Sequence, residues 1–172
     1  MRRFSKIALL LLAIMVVAVV SAHNFVVGQK MPPVVADEWI EEPPKLKDGV
    51  VLVDFFSSLN STVMTHVPEL KRLAKEYEGR MQVVVASKDP MEVMTEIFGD
   101  ESGCYIALDR DGKLFSAFKV RFVPCTMLLD KRGRLLWAGD VLSLTDDRLE
   151  EFLVKKEKRE KESRKAESED KE

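Results

Sequence analysis

Val50 to Phe56 reads Val-Val-Leu-Val-Asp-Phe-Phe, an apolar run broken only by Asp54. Both alternating faces of such a segment are apolar, so it predicts a strand covered on two sides, with Asp54 carried into the interior. A strand of this kind calls for helices on both faces of a mostly parallel sheet. The rest of the chain supplies them. Asn60 to Tyr77 places Val63, Val67, Leu70, Leu73, Ala74 and Tyr77 on one helical face, with Pro68 as a kink. Met81 to Ala86 is a second buried strand, and Met91 to Phe98 a helix that stops at Gly99. Tyr105 to Leu108 is a short strand ended by a turn at Asp111-Gly112, and Lys113 to Val120 forms one or two helical turns. Cys125 to Leu129 and Leu135 to Trp137 form a hairpin around Lys131-Arg132-Gly133. Thr145 caps a last helix, with Asp146 and Asp147 in its first turn. The order predicts an α/β fold: a central mixed sheet with a C-terminal antiparallel hairpin and flanking helices.

The flanks differ from this domain. Arg2, Arg3 and Lys6 precede the apolar run Ile7 to Val20, and Val20-Ser21-Ala22 offers small residues for cleavage. Residues 1–22 therefore read as a secretory signal peptide, with retention as an N-terminal membrane anchor the alternative. Either reading places the domain across the inner membrane, periplasmic or otherwise extracytoplasmic, where disulfides persist. Residues 23–49, with Pro32, Pro33, Pro43 and Pro44, read as an extended lead-in, and residues 50–154 as the domain. Residues 155–172 are a charged tail without large apolar side chains, a solvated helical extension held by pairs such as Glu157–Lys161. The 27 Lys and Arg against 29 Asp and Glu argue against nucleic acid as a partner. Gly 8, Pro 7 and Cys 2 exclude collagenous, low-complexity and disulfide-dense classes. No metal-ligand or cofactor motif is present.

Several motifs occur in a telling order. Val51-Leu52-Val53-Asp54-Phe55-Phe56 is followed by Asn60-Ser61-Thr62-Val63 at the strand-to-helix turn, by Pro68, and by Phe122-Val123-Pro124-Cys125-Thr126. Val67-Pro68-Glu69-Leu70 and Ile106-Ala107-Leu108-Asp109-Arg110-Asp111-Gly112 complete the set. Over roughly residues 26–153 the chain resembles the thioredoxin superfamily, in its extracytoplasmic TlpA/ResA-like branch. The resemblance implies a thioredoxin-like fold, a cis peptide at Val123-Pro124, and a C-x-x-C motif where this chain has Asn60-Ser61-Thr62-Val63. That chemistry needs a thiolate at a helix N-terminus and a second thiol to resolve the mixed disulfide. Asn60 and Val63 supply neither: Asn is a helix cap, and Val fills the space of a buried thiol. In the family an acid at the position of Asp54 assists proton transfer to the buried cysteine. Here Asp54 is either a relic satisfied by its surroundings or a residue with a retained role.

Cys104 and Cys125 are the chain's cysteines. In the implied topology they stand at opposite ends of the sheet, on the order of 15 Å apart, too far for a disulfide. His23 and His66 are too few ligands for copper. His66 reads as a surface helix histidine, and with Ser61 and Thr62 it lacks the oriented acid of a nucleophile–base pair. Asn60-Ser61-Thr62 also matches a glycosylation sequon. Met81, Met91, Met94, Trp39 and Trp137 read as packing residues. Two functions follow. One is a non-catalytic binding or assembly module that holds a polypeptide at the face of Asn60, Ser61, Thr62, Val63, Val123 and Pro124 by backbone pairing. The other is a thiol-disulfide oxidoreductase working through Cys125, aided by Asp54, or through a Cys104/Cys125 pair.

Overall fold

The computed structural model describes residues 25–45, 49–99 and 101–154. The segments expected to be a signal peptide and a charged tail, residues 1–22 and 155–172, lie outside the described residues. Within these residues six strands form one sheet: β1 (Glu38–Trp39), β2 (Val50–Phe56), β3 (Met81–Ser87), β4 (Tyr105–Leu108), β5 (Cys125–Leu129) and β6 (Leu135–Gly139). Their order is β1-β4-β3-β2-β5-β6. The β2–β3 and β3–β4 pairs are parallel, and β5, β6 and β1 join antiparallel. The helices are α1 (Ser61–Met64), α2 (Val67–Glu76), α3 (Met91–Phe98) and α4 (Lys113–Ala117). A 3₁₀ turn spans Val141–Ser143, and a last helix, α5, occupies residues 146–154.

Every side chain of β2 is buried. The pleat sends Val50, Leu52 and Phe56 to one core and Val51, Val53 and Phe55 to the other. The first core receives Leu70 and Leu73 from α2, Met94 and Phe98 from α3, and Leu149 and Leu153 from α5. The second receives Leu114 and Phe115 from α4, together with Phe118 and Met31. Asp54 stands on the β2 face that looks toward α2. Arg72 pairs with Asp146 at 2.8 Å and Arg80 with Glu150 at 2.7 Å, so α5 is also tied to the α2 side by charge.

The expected single helix over 60–77 is two helices. Thr65 and His66 close α1 by donating to the Thr62 and Val63 carbonyls, and α2 begins with Pro68 in its first turn. Proline has no N–H to continue α1 but fits a helix start, so the chain breaks and restarts where a kink was expected. The lead-in is also more ordered than an irregular segment. Gly28 and Met31 donate to the Leu135 and Gly133 carbonyls beside β6. The segment then crosses the second core, burying Met31 and packing Val34, Ala36 and Trp39, and becomes β1 against β4. A two-residue strand carries too little periodicity to be read from sequence. The helix expected over 113–120 ends at Ala117, and β6 runs two residues past Trp137. Trp137 and Met94 are core residues, as expected.

Asp109 sets the start of α4. Its two carboxylate oxygens accept from the Leu114 and Phe115 N–H groups, each at 2.9 Å, while the side chain is buried. Asp109→Ala leaves those donors unpaired and is expected to cost about 2 kcal/mol. Asp109→Asn, which keeps one acceptor, should lose less. Urea denaturation of both variants against the parent checks the order.

Candidate functional site

The β2–α1 turn carries the site. Asn60 has extended backbone and caps α1: its Oδ1 accepts from the Thr62 N–H at 3.0 Å. Its Nδ2 donates to the Val123 carbonyl at 2.9 Å. One half-buried amide thus ties the turn to the loop before β5, across a peptide that is cis at Val123-Pro124. Ser61 and Thr62 are exposed, and Val123 and Pro124 are half-buried. Val63 is wholly buried in the first core. It cannot present its side chain to a partner, which corrects its place in the expected binding set: an apolar side chain on the inner face of α1 packs inward. Sequence reading missed what flanks the turn. Leu59 is 93 % exposed and Phe122 65 % exposed, one beside Asn60 and the other beside Val123, and Met64 is exposed as well. An apolar residue immediately before each of the two joined loops was the available signal.

Beneath this face lies a buried polar cluster. Asp54 and Thr126 are register partners on β2 and β5, and the Thr126 hydroxyl donates to Asp54 Oδ1 at 2.5 Å. His66, at the head of α2, is fully buried, not a surface histidine. Its position, three residues after Val63 and four before Leu70, puts it on the same inward face as those two core residues. Nδ1 lies 3.7 Å from Asp54 Oδ1 and Nε2 lies 3.1 Å from Asp140 Oδ1. Both are ionic contacts without hydrogen-bond alignment, and Asp54 Oδ2 has no partner among the described residues. The Asp54 carboxylate pushes the His66 pKa up, against the pull of burial, and Asp140 adds to the rise.

The cysteines are free and buried. Cys104 packs in the first core and Cys125 in the second, so the sheet separates them. That is a stronger bar to pairing than the expected separation along the strands. Cys125 precedes Thr126 by one residue and so turns away from Asp54 and Val63. Burial, with the Asp54 charge adding to it, pushes both thiols up to about 12. At neutral pH each is a protonated thiol and a poor nucleophile. Among the described residues no cluster of His, Cys, Asp and Glu could hold a metal ion.

No family model and no curated protein matches the chain. Solved structures do. A thioredoxin-like protein solved in its oxidised form matches with TM-score 0.63 at 20 % identity, over 74 % of this chain and 97 % of that one. The thioredoxin domain of a thiol-disulfide oxidoreductase from Bacteroides vulgatus matches with TM-score 0.62 at 17 % identity, over 76 % and 99 %. The exposed lipoprotein thioredoxin of Streptococcus pneumoniae matches with TM-score 0.52 at 20 % identity, over 64 % and 87 %. The fold is thioredoxin-like. At these identities the likeness extends to architecture, and the chemistry of this thioredoxin-like chain has to be argued from its own residues.

Two outcomes test the site. Asn60→Ala removes the α1 cap and the tie to Val123 together and is expected to lower stability by about 1–2 kcal/mol in urea denaturation. Neither Cys104 nor Cys125 should react with a disulfide reagent in the native protein at pH 8, while both react once it is unfolded. Rapid native labelling of Cys125 is the result that contradicts its burial.

Proposed function

We propose that this chain is an exported, thioredoxin-like binding module that holds an extended polypeptide without thiol chemistry. The observation that carries the reading is the Asn60 side chain. It stands where the resemblance places the attacking cysteine, and it spends both ends of its amide on structure, one on the α1 N-terminus and one on the Val123 carbonyl. Val63 stands where the second cysteine is implied and is packed in the core. The turn is thus built to be stable, not reactive. The face around it suits a polypeptide. Leu59, Met64 and Phe122 offer apolar surface, and Ser61 and Thr62 offer hydroxyls beside it. The Val123 carbonyl has a second lone pair for a backbone donor from an incoming strand. Export rests on the N-terminal basic and apolar pattern of residues 1–22, and the exposed lipoprotein thioredoxin among the structural neighbours is consistent with it.

The buried, protonated thiols on opposite faces of the sheet weigh against the oxidoreductase reading through Cys125 or a Cys104/Cys125 pair. Two assays decide between the two functions. Binding of unfolded apolar peptides should weaken about tenfold in the Leu59→Ser, Phe122→Ser double variant and stay unchanged in Cys104→Ser, Cys125→Ser. Insulin reduction driven by dithiothreitol should remain at background. Turnover above background that disappears in Cys125→Ser overturns the proposal.

A further inference from the structure

The imidazole of His66 is held between two carboxylates from different parts of the chain. Asp54 comes from the middle of β2 and is wholly buried; Asp140 follows β6, with its side chain 45 % exposed. Each ring nitrogen faces an oxygen that can only accept when ionised. A neutral imidazole has one N–H, so its bare nitrogen would point a lone pair at one of the carboxylates. An imidazolium satisfies both directions, and it leaves two negative charges sharing one buried positive charge. Asp140 also acts on the backbone that follows it. The same Oδ1 accepts from the Leu142 N–H at 2.9 Å and so caps the 3₁₀ turn Val141–Ser143. That turn packs Val141 into the first core, where Val63 also sits.

We propose that the His66 ring is a buried cation that latches the 3₁₀ turn Val141–Ser143, through Asp140, to the α1–α2 junction under the Asn60 face, and that loss of its proton releases the turn. The charges that face the ring are Asp54 from β2 and Asp140 from the segment after β6; Thr126 on β5 faces Asp54 as a neutral donor. Cys104 and Cys125 feel Asp54 but stay protonated at neutral pH, so they add no charge. When the proton leaves, the Asp140 contact is the one to break. Asp140 reaches water and can be solvated, whereas Asp54 is enclosed and stays beside the ring. The proton is bound more tightly in the folded chain than in the unfolded one. The stability it contributes is therefore complete below the ordinary histidine value of about 6.5 and is lost as pH rises through the higher folded value.

The test is an NMR titration of the ring nitrogens in the full chain, with the His23 signals assigned from His23→Gln. Both His66 nitrogens should carry protons at pH 6.5, and the midpoint should lie above the ordinary value. Asp140→Asn should lower that midpoint by about one unit. Amide exchange at Ser143 and Leu144, corrected for its intrinsic pH dependence, should speed up above the midpoint in the wild type. Urea denaturation against pH should show the matching loss of stability, absent in His66→Gln. A ring that is neutral at pH 6.5, a midpoint indifferent to Asp140→Asn, or exchange unchanged across the midpoint overturns the latch. The wild-type ring signals decide the matter even where His66→Gln does not fold.

Discussion

The carboxylate of Asp54 in the central strand is the constraint to which the surrounding structure answers. A bare charge at that depth would cost several kcal/mol. The fold meets it with one hydroxyl and one imidazole, and each arrives by a different route. Thr126 is delivered by strand register. His66 is delivered by helical spacing, at the head of α2 and on the same face as Val63 and Leu70. Asp140 then faces the other ring nitrogen of His66. The cluster links β2, β5, the head of α2 and the turn after β6.

Above that cluster, Asn60 and Val63 close the turn in complementary ways. Asn60 satisfies the Thr62 N–H at the α1 N-terminus with its own oxygen, where an ionised thiol stands in a reactive turn. Val63 fills the inner face. The cis-proline loop is then tied to the turn by a side chain of the chain itself, so the face is organised by the fold alone. An organised surface loses less entropy on binding than one that must first be assembled.

Much of this was legible in the sequence. The run Val50–Phe56, the Met91–Phe98 helix and the Tyr105–Leu108 and Cys125–Leu129 strands were readable because their apolar periodicity is strong and their ends are marked. The implied loop geometry at Asn60 and Pro124 could be placed because those residues belong to an ordered set of motifs. His66 lies three residues after Val63 and four before Leu70, so its place on the buried face was legible in the spacing; a titratable side chain reads as a surface one when its buried partners are not in view. Its two carboxylate neighbours stand 12 and 74 positions away in sequence, so nothing local announces them. Leu59 and Phe122 were passed over for a similar reason: an exposed apolar residue in a loop gains meaning only once another loop is known to sit beside it.

The course of the lead-in has a consequence for the company the protein keeps. A sheet ends in two rows of unpaired backbone groups, and such rows recruit further strands. Here one N-terminal segment covers part of both. Residues 28–31 bond alongside β6, and Glu38–Trp39 bond alongside β4, at the two ends of a single belt. Those stretches of β4 and β6 are thereby closed to a further strand, and the short β1 becomes the outermost strand on its side. The same belt makes this protection vulnerable to a single event. A proteolytic cut between Lys30 and Glu38 would uncouple the two ends of the belt, leaving each border held only by its own few backbone bonds.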